Sequence, residues 1–452
     1  MKPFSFYLIA DPHYFKNSLG AFGKEYDEFM RYEQKCYAET QAINESVFNW
    51  LENADGADTL LIAGDLTFNG EKESHLAFIE HLKKLKSSGK KIYVITADHD
   101  CKNDPFAFNE NGRYEPEKTA YEELFDLYYD YGFKDAIAVD REHMSYVAQL
   151  CDGVRLLALC NDGDREHRHT FDEAHIAWIK EQTKKAREDG QMMFAMNHYP
   201  LLPGQPILSV INTTIQRDAD EVTKMLADEG VHLVFTGHMH NQSINVRETE
   251  SGNKIFDVCT GSIIADPSVI RLVEIESDSK VNIQSIPTPD FDWDTGGKSC
   301  KQYLSDLFDN MILNTFLDLR DNPYNVMRKF GAGDKKNIFP IVKRLGKRLN
   351  SISVGGACRL LCIKCPDSEL KKMPLKLYCA ELVRMVFEGN QYFAPGTPKG
   401  DLFLNFIGRI RPILKKIKAK TFDGQPADIY DLLKNSAYNY DIDDYNATLI
   451  LK

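Results

Sequence analysis

Over its first 240 residues the chain alternates short apolar runs with longer amphipathic stretches, and this alternation narrows its fold more than any other feature. Residues 4–10 (FSFYLIA), 59–63, 91–96, 155–160, 192–196 and 233–236 read as strands. Helical spacing of apolar residues fills the intervals: residues 33–53, with Val47, Trp50 and Leu51 in step, then 72–87, 120–131, 172–188 and 217–228. Strand and helix in turn predict an α/β layered domain. After His240 come four closely spaced runs, 242–248, 254–258, 269–275 and 280–286, which predict an antiparallel stretch completing a second sheet. The Pro/Asp/Gly-rich segment 287–297 (PTPDFDWDTGG) predicts a boundary, and from about residue 301 the pattern is mostly helical, broken near Pro323, 331–334 and 395–400. The expected division is a domain over residues 1–287 and a mostly helical C-terminal domain over 301–452. A chain of 452 residues is itself more than one ordinary core accommodates.

Residues able to bind metal recur just after the expected strands. Asp11-Pro12-His13 follows the first, Gly64-Asp65 the second and Asp98-His99-Asp100 the third. Asn197-His198 follows residues 192–196, and Gly237-His238-Met239-His240 follows 233–236. Ligands of α/β sheets bind beyond the carboxyl ends of the strands, so five strand ends can bring these groups to one place. Asp11 and His13 are two apart, as are His238 and His240, which on extended chain puts both members of a pair on one side. Gly64 and Gly237 allow the backbone a close approach or a sharp turn. Each piece alone is common in loops and turns; the ordered set of five is what predicts a metal site. Mixed carboxylates and imidazoles suit Mn, Fe or Zn better than Ca or Mg.

Charge is distributed to match. Residues 301–452 carry 25 Lys+Arg against 16 Asp+Glu, a balance of +9, so the remainder of the chain's -12 leaves residues 1–300 at -21. An acidic body suits the collection of divalent cations and argues against a broad nucleic-acid footprint. The run at 4–10 is too short to span a membrane, has no cleavage site after it, and no other stretch reaches 18 apolar residues. Neither a signal peptide nor a transmembrane helix is expected. Ten cysteines without scaffold spacing predict reduced thiols and a cytoplasmic location.

The ordered series Asp11-x-His13, Gly64-Asp65, Asp98-His99-Asp100, Asn197-His198 and Gly237-His238-x-His240 resembles the calcineurin-like metallophosphoesterase family over residues 1 to about 285. The longer strings at 64–72 (GDLTFNGEK) and Thr260-Gly261-Ser262 resemble a bacterial branch of it. The resemblance implies a four-layer α/β-β/α sandwich of two mixed sheets flanked by helices. It implies one metal at Asp11, His13 and His240, a second at Asp98, His198 and His238, and Asp65 bridging the two. Mn or Fe is the expected pair, with Zn a further choice. His99 is implied as the catalytic histidine, with Asp100 accepting from its other ring nitrogen to orient it. The implied activity is hydrolysis of a small phosphorylated substrate, monoester or diester, by a metal-bridged hydroxide, with protonated His99 assisting the leaving group.

One position departs from the pattern. The family reads Gly-Asn-His-Asp/Glu where this chain has Ala97-Asp98-His99-Asp100. An ionised Asp98 can ligate a metal but cannot donate to phosphate, and it adds negative charge. Tighter metal binding and weaker phosphate binding are therefore expected. The alternative reading is a catalytically weakened metal- or phosphate-binding protein.

Other candidates rank lower. Cys358-x3-Cys362-x2-Cys365 has iron–sulfur spacing, but its apolar residues fall at helical spacing and favour buried cysteine. His75, His81, His143, His167, His169, His175 and His232 read as surface or core residues. His167 and His169, in the charged loop 162–169, and Asn161 beside it are candidates for the rim of the cleft.

Overall fold

The first apolar run becomes a strand, and each of the six expected strands of the first 240 residues forms within two residues of its expected place. The computed structural model describes residues 2–161, 169–211, 214–329, 333, 336–389, 393–421, 424–439 and 441–452. Its strands are β1 Phe4–Ile9, β2 Thr59–Ala63, β3 Lys91–Ile95, the short pair β4 Ala107–Asn109 and β5 Gly112–Tyr114, β6 Ala136–Asp140, β7 Ser145–Cys151 and β8 Val154–Ala158. They continue with β9 Met192–Met196, β10 Leu233–Thr236, β11 Ser243–Glu248, β12 Lys254–Cys259, β13 Val269–Ser277, β14 Lys280–Pro287, the short pair β15 Ala419–Lys420 and β16 Pro426–Ala427, and β17 Asn446–Ile450.

Two mixed sheets result, a six-stranded one in the order β17-β14-β13-β1-β2-β3 and a seven-stranded one in the order β11-β12-β10-β9-β8-β7-β6. β1, β2 and β3 run parallel, with Tyr7 beside Leu60 and Leu60 beside Ile92. β8, β9, β10 and β12 are likewise parallel. The inner faces meet through aromatic rings: Phe6 of β1 stacks on Phe194 of β9 at 5.4 Å and meets Phe235 of β10 edge-on at 5.4 Å. On the outer face of the first sheet, Tyr7 meets Trp50 of helix Thr40–Asn53 edge-on, and Phe48 of that helix meets Phe78 of helix Lys72–Ser87. On the second sheet, Ile179 and Ala186 of helix Glu173–Glu188 and Val222 and Leu226 of helix Ala219–Asp228 join Leu157, Ala195 and Val234 in one buried cluster. Period-two strands and 3.6-residue helical stripes thus give four layers, as expected.

Three expectations are corrected. The four runs after His240 do not complete one sheet: β11 and β12 extend the seven-stranded sheet, while in the other β13 pairs with β1 and β14 pairs with β13. The helix expected from residue 33 begins at Thr40, because residues 31–39 fold over the strand ends, where Cys36 N–H donates to the Ile264 carbonyl (3.2 Å). And the C-terminal region does not stay on its own side of residue 301: β17 pairs antiparallel with β14, Lys280 opposite Ile450. Between lie helices Cys300–Asp321, Phe339–Ser351, Leu375–Glu388 and Pro398–Leu414, among others, with their own cluster around Val354, Tyr378, Phe393 and Leu402.

This region is tied to the sheets by charge. Arg31 holds Asp318 through two hydrogen bonds (3.0 and 3.1 Å), Arg384 pairs with the buried Asp266 (2.7 Å), and fully buried Arg271 donates to the Asp444 carbonyl (3.0 Å). Among the described residues, no helix is long and apolar enough to cross a membrane. In the 358–365 run, Cys358 is buried in helix Val354–Leu361 beside Cys365, and Cys362 is the exposed residue that ends the helix.

Candidate metal centre

The carboxyl ends of β1, β2, β3, β9 and β10 converge where the two sheets meet. Asp11 and His13 leave β1, Asp65 leaves β2, His99 sits in the single turn Asp98–Cys101 after β3, His198 follows β9, and His238 and His240 follow β10. The turns are tight. Asp11, His13, Asp65, His238 and His240 all have positive φ, from 38° to 66°, a region that non-glycine residues seldom occupy. Only three other described non-glycine residues do so, and one of them, His169, lies 6.3 Å from the His238 ring. Strain of this kind persists where surroundings over-determine it and gathers at functional sites. The paired ligands are therefore aimed by left-handed kinks, not by the extended chain expected.

Two glycines make room. Gly64 has φ 86°, and a Cβ there would come 2.6 Å from His198 Nδ1. A Cβ on Gly237 would collide with Asp11 Oδ2. Asp11 in turn accepts from the His238 N–H (3.0 Å to each oxygen), and Ser262 Oγ donates to the Asp11 carbonyl (2.6 Å), which places the Thr260-Gly261-Ser262 string beneath the first ligand.

Ring nitrogens and carboxylate oxygens point at one another. His13 Nε2 lies 3.0 Å from His240 Nε2, 3.5 Å from Asp65 Oδ2 and 3.8 Å from Asp11 Oδ1. His198 Nε2 lies 3.2 Å from Asp65 Oδ2 and 3.9 Å from Asp11 Oδ1, while its Nδ1 is engaged by the Ala63 carbonyl at 2.7 Å. Asp11, His13 and His240 form one group whose ligand atoms all lie within 4.8 Å of each other, and Asp65, His198 and His238 form another. Asp65 also closes a third group with His13 and His99, so it faces both sides. Asp98 belongs to none of these groups; its Oδ2 is 3.7 Å from Lys102 Nζ.

Electrostatics fit a cation. Burial opposes charge on both Asp65 and His198, yet His198 holds the Asp65 carboxyl well below its usual range and Asp65 and Asp11 hold His198 well above its own. The buried carboxylates thus favour positive charge beside them. Burial, reinforced by Lys35, keeps His13 well below its ordinary value and so neutral, the form that ligates metal. A set of four imidazoles and two carboxylates around shared space matches the donor chemistry of Mn, Fe or Zn.

The surroundings of His99 differ from expectation. Its Nδ1 donates to the Phe68 carbonyl, and its Nε2 accepts from Lys102 Nζ at 2.9 Å. Burial and Lys35 push the ring down to about 3, so it is neutral. Asp100 does not orient it directly. The Asp100 carboxyl accepts from Thr67 N–H (2.9 Å), Thr67 Oγ1 (3.2 Å) and Ala97 N–H (2.9 Å), fastening the loops after β2 and β3 together. Burial and then Asp65 push it up to about 8.

Of the rim candidates, His169 packs on Tyr199 at 4.0 Å beside His238. His167 lies outside the described residues. Asn161 is buried, not on the rim: its amide donates to Gln216 Oε1 (2.9 Å), which also receives Asn197 Nδ2 (2.9 Å). His75 is a core residue bonded to Tyr128 Oη (2.7 Å) and the Asp100 carbonyl (2.8 Å). Sequence reasoning missed Lys35 and Lys102. For Lys102 the signal was its place four residues after Asp98.

A family model described as calcineurin-like phosphoesterase matches residues 4–242. Comparison with curated protein sequences gives no match. Solved structures of similar fold include a dimetal phosphatase from Danio rerio, 13% identical, covering 63% of this chain and 96% of that one, with a TM-score of 0.46. A purple acid phosphatase from yellow lupin seeds is 12% identical, covering 64% of this chain and 52% of its own, TM-score 0.45. GAP50, the anchor in the inner membrane complex of Plasmodium, is 11% identical, covering 64% and 85%, TM-score 0.36.

Proposed function

The chain belongs to the calcineurin-like phosphoesterase family, and from that premise we propose that it hydrolyses the phosphate ester of a small molecule with two metal ions, Mn or Fe before Zn. Asp11, His13 and His240 would hold one ion, His198 and His238 would hold the other with Asp98 closing it, and Asp65 would be shared. The observation that carries this reading is the convergence of His13 Nε2, His240 Nε2, His198 Nε2, Asp11 Oδ1 and Asp65 Oδ2, each within 3.9 Å of another, in a buried seam between the sheets. Bound there, metal ions supply Lewis acidity to the phosphoryl oxygens and lower the pKa of water. The chain's own residues do the rest. The Ala63 carbonyl fixes the His198 ring and the Phe68 carbonyl fixes His99. Lys102, donating to His99 Nε2, brings a cation to the His99 wall of the centre. This replaces the protonated His99 expected from sequence with a neutral ring that holds a lysine.

The test is turnover of para-nitrophenyl phosphate by purified protein, stripped with chelator and reloaded with Mn²⁺, Fe²⁺ or Zn²⁺. Metal-dependent release of nitrophenol supports the reading. No turnover with any of the three favours the second reading, a binding protein weakened by Asp98.

A further inference from the structure

Lys35 is 9% exposed, yet among the described residues no carboxylate lies within ion-pair distance of its Nζ. The ammonium instead sits over the Phe68 ring, 4.5 Å from its centre. Phe68 is the residue whose carbonyl holds His99, and its ring lies 5.7 Å from that of His13. Lys35 also acts electrostatically on His13, His99, Asp65, Asp98 and Lys102, so its charge is felt throughout the centre. Glu33 attracts it as well, from beyond ion-pair distance, and a buried ammonium without a close counter-charge is costly unless a ligand supplies one. Lys102 brings a second ammonium to the same wall, bonded to His99 Nε2 and 3.7 Å from Asp98.

We propose that Lys35 and Lys102 form a two-lysine anion site on the His99 side of the metal centre, shaped for the doubly charged phosphoryl group of a phosphomonoester. The proposal rests on the phosphoesterase reading above and names its substrate class. Charge supports it. Lys102 faces Asp98, the carboxylate that otherwise repels phosphate, while Lys35 feels Glu33, Asp65 and Asp98 only from beyond ion-pair distance. A monoester dianion matches that charge with a second anionic oxygen. A diester presents an esterified oxygen there, leaving the buried ammonium unpaired. Free orthophosphate shares the recognised chemistry and serves as the probe.

The experiment uses the full chain, metal-loaded, with metal content measured for every variant. Orthophosphate affinity is read by calorimetry, and kcat/KM is read on para-nitrophenyl phosphate and on bis-para-nitrophenyl phosphate. Lys35→Met and Lys102→Gln should each weaken orthophosphate binding by about tenfold or more, the scale of one lost charge-assisted contact. Each should lower monoester kcat/KM by a similar factor, move diester kcat/KM by less than about threefold, and leave metal content at the wild-type level. Lys35→Arg should keep most of the orthophosphate affinity. Should Lys35→Met not fold, Lys102→Gln at its partly exposed position carries the test. Unchanged orthophosphate affinity in the variants, or equal losses on both esters, overturns the proposal. A wild-type protein that binds orthophosphate through these lysines but hydrolyses neither ester overturns the phosphoesterase reading alone.

Discussion

His13 Nε2 lies 3.0 Å from His240 Nε2, and Asp11 Oδ1 lies 3.3 Å from the latter, in a place closed to solvent. Two imidazole nitrogens and a carboxylate oxygen aimed at one point are not all satisfied by a single proton, whereas one cation satisfies all three. His240→Ala should therefore lose about one equivalent of metal per chain and lower turnover by about a hundredfold, an effect at the upper end of what altered metal-site residues produce. Elemental analysis beside para-nitrophenyl phosphate kinetics checks both; full metal content in the variant contradicts this assignment.

Gly64 carries a different load. Its φ of 86° and the 2.6 Å approach of a would-be Cβ to His198 Nδ1 leave no space for a side chain. Gly64→Ala should push His198 off the Ala63 carbonyl and destabilise the fold by about 1–3 kcal/mol, the range for forced backbone strain. Thermal unfolding and metal content report the two effects. An alanine variant with wild-type Tm and metal content is the contrary result.

Asp257 makes stability depend on pH. It accepts from the Leu201 and Leu202 N–H groups (2.6 and 2.8 Å) and from Thr236 Oγ1 (2.7 Å), yet burial still pushes it up to about 6 from 3.8. The folded value exceeds the unfolded one, so the fold favours the protonated form. That contribution is fully present below the unfolded value and is lost as pH rises through about 6, amounting to about 3 kcal/mol. Asp257→Asn keeps the shape without the titration, its carbonyl toward Leu201 and Leu202 and its amide toward Thr236. Unfolding of both proteins between about pH 4 and pH 8 should show a shallower slope in the variant; parallel curves contradict the assignment.

Asp98 remains the departure from the family pattern, now with Lys102 3.7 Å away and offsetting part of its charge. Asp98→Asn should raise turnover by a few-fold and weaken metal binding by about tenfold, since one anionic ligand is lost. Metal titration against turnover separates the effects. Equal or lower turnover in the saturated variant counts against the expectation.

Most of the candidate metal centre was legible because each motif is local: Asp11, Asp65, His198 and His238 all follow a strand whose apolar run ends abruptly, and strand ends fix where such residues gather. Lys35 was not legible. It lies in a stretch of helical periodicity, and a lysine between Gln34 and Cys36 suggests solvent. Its ammonium lies over Phe68, and its neighbours Gln34 and Cys36 bond to the Asp266 and Ile264 carbonyls, all far away in sequence. The role of Asp100 was misplaced for a similar reason, since Thr67 and Ala97 reach its oxygens through backbone groups that carry no residue signature. β6 was missed because its alternating, half-exposed AIAVD edge pattern is short and followed by charge. β17 was missed because its partner β14 lies over 150 residues earlier.

The most direct test of the two-metal account is metal stoichiometry measured by elemental mass spectrometry on wild-type protein and on Asp65→Ala, together with Mn²⁺-dependent turnover of para-nitrophenyl phosphate. The account predicts two ions per wild-type chain, loss of at least one with the shared carboxylate, and turnover that rises with occupancy and vanishes in the variant. Fewer than one ion per saturated wild-type chain, or undiminished metal content and turnover in Asp65→Ala, would contradict it.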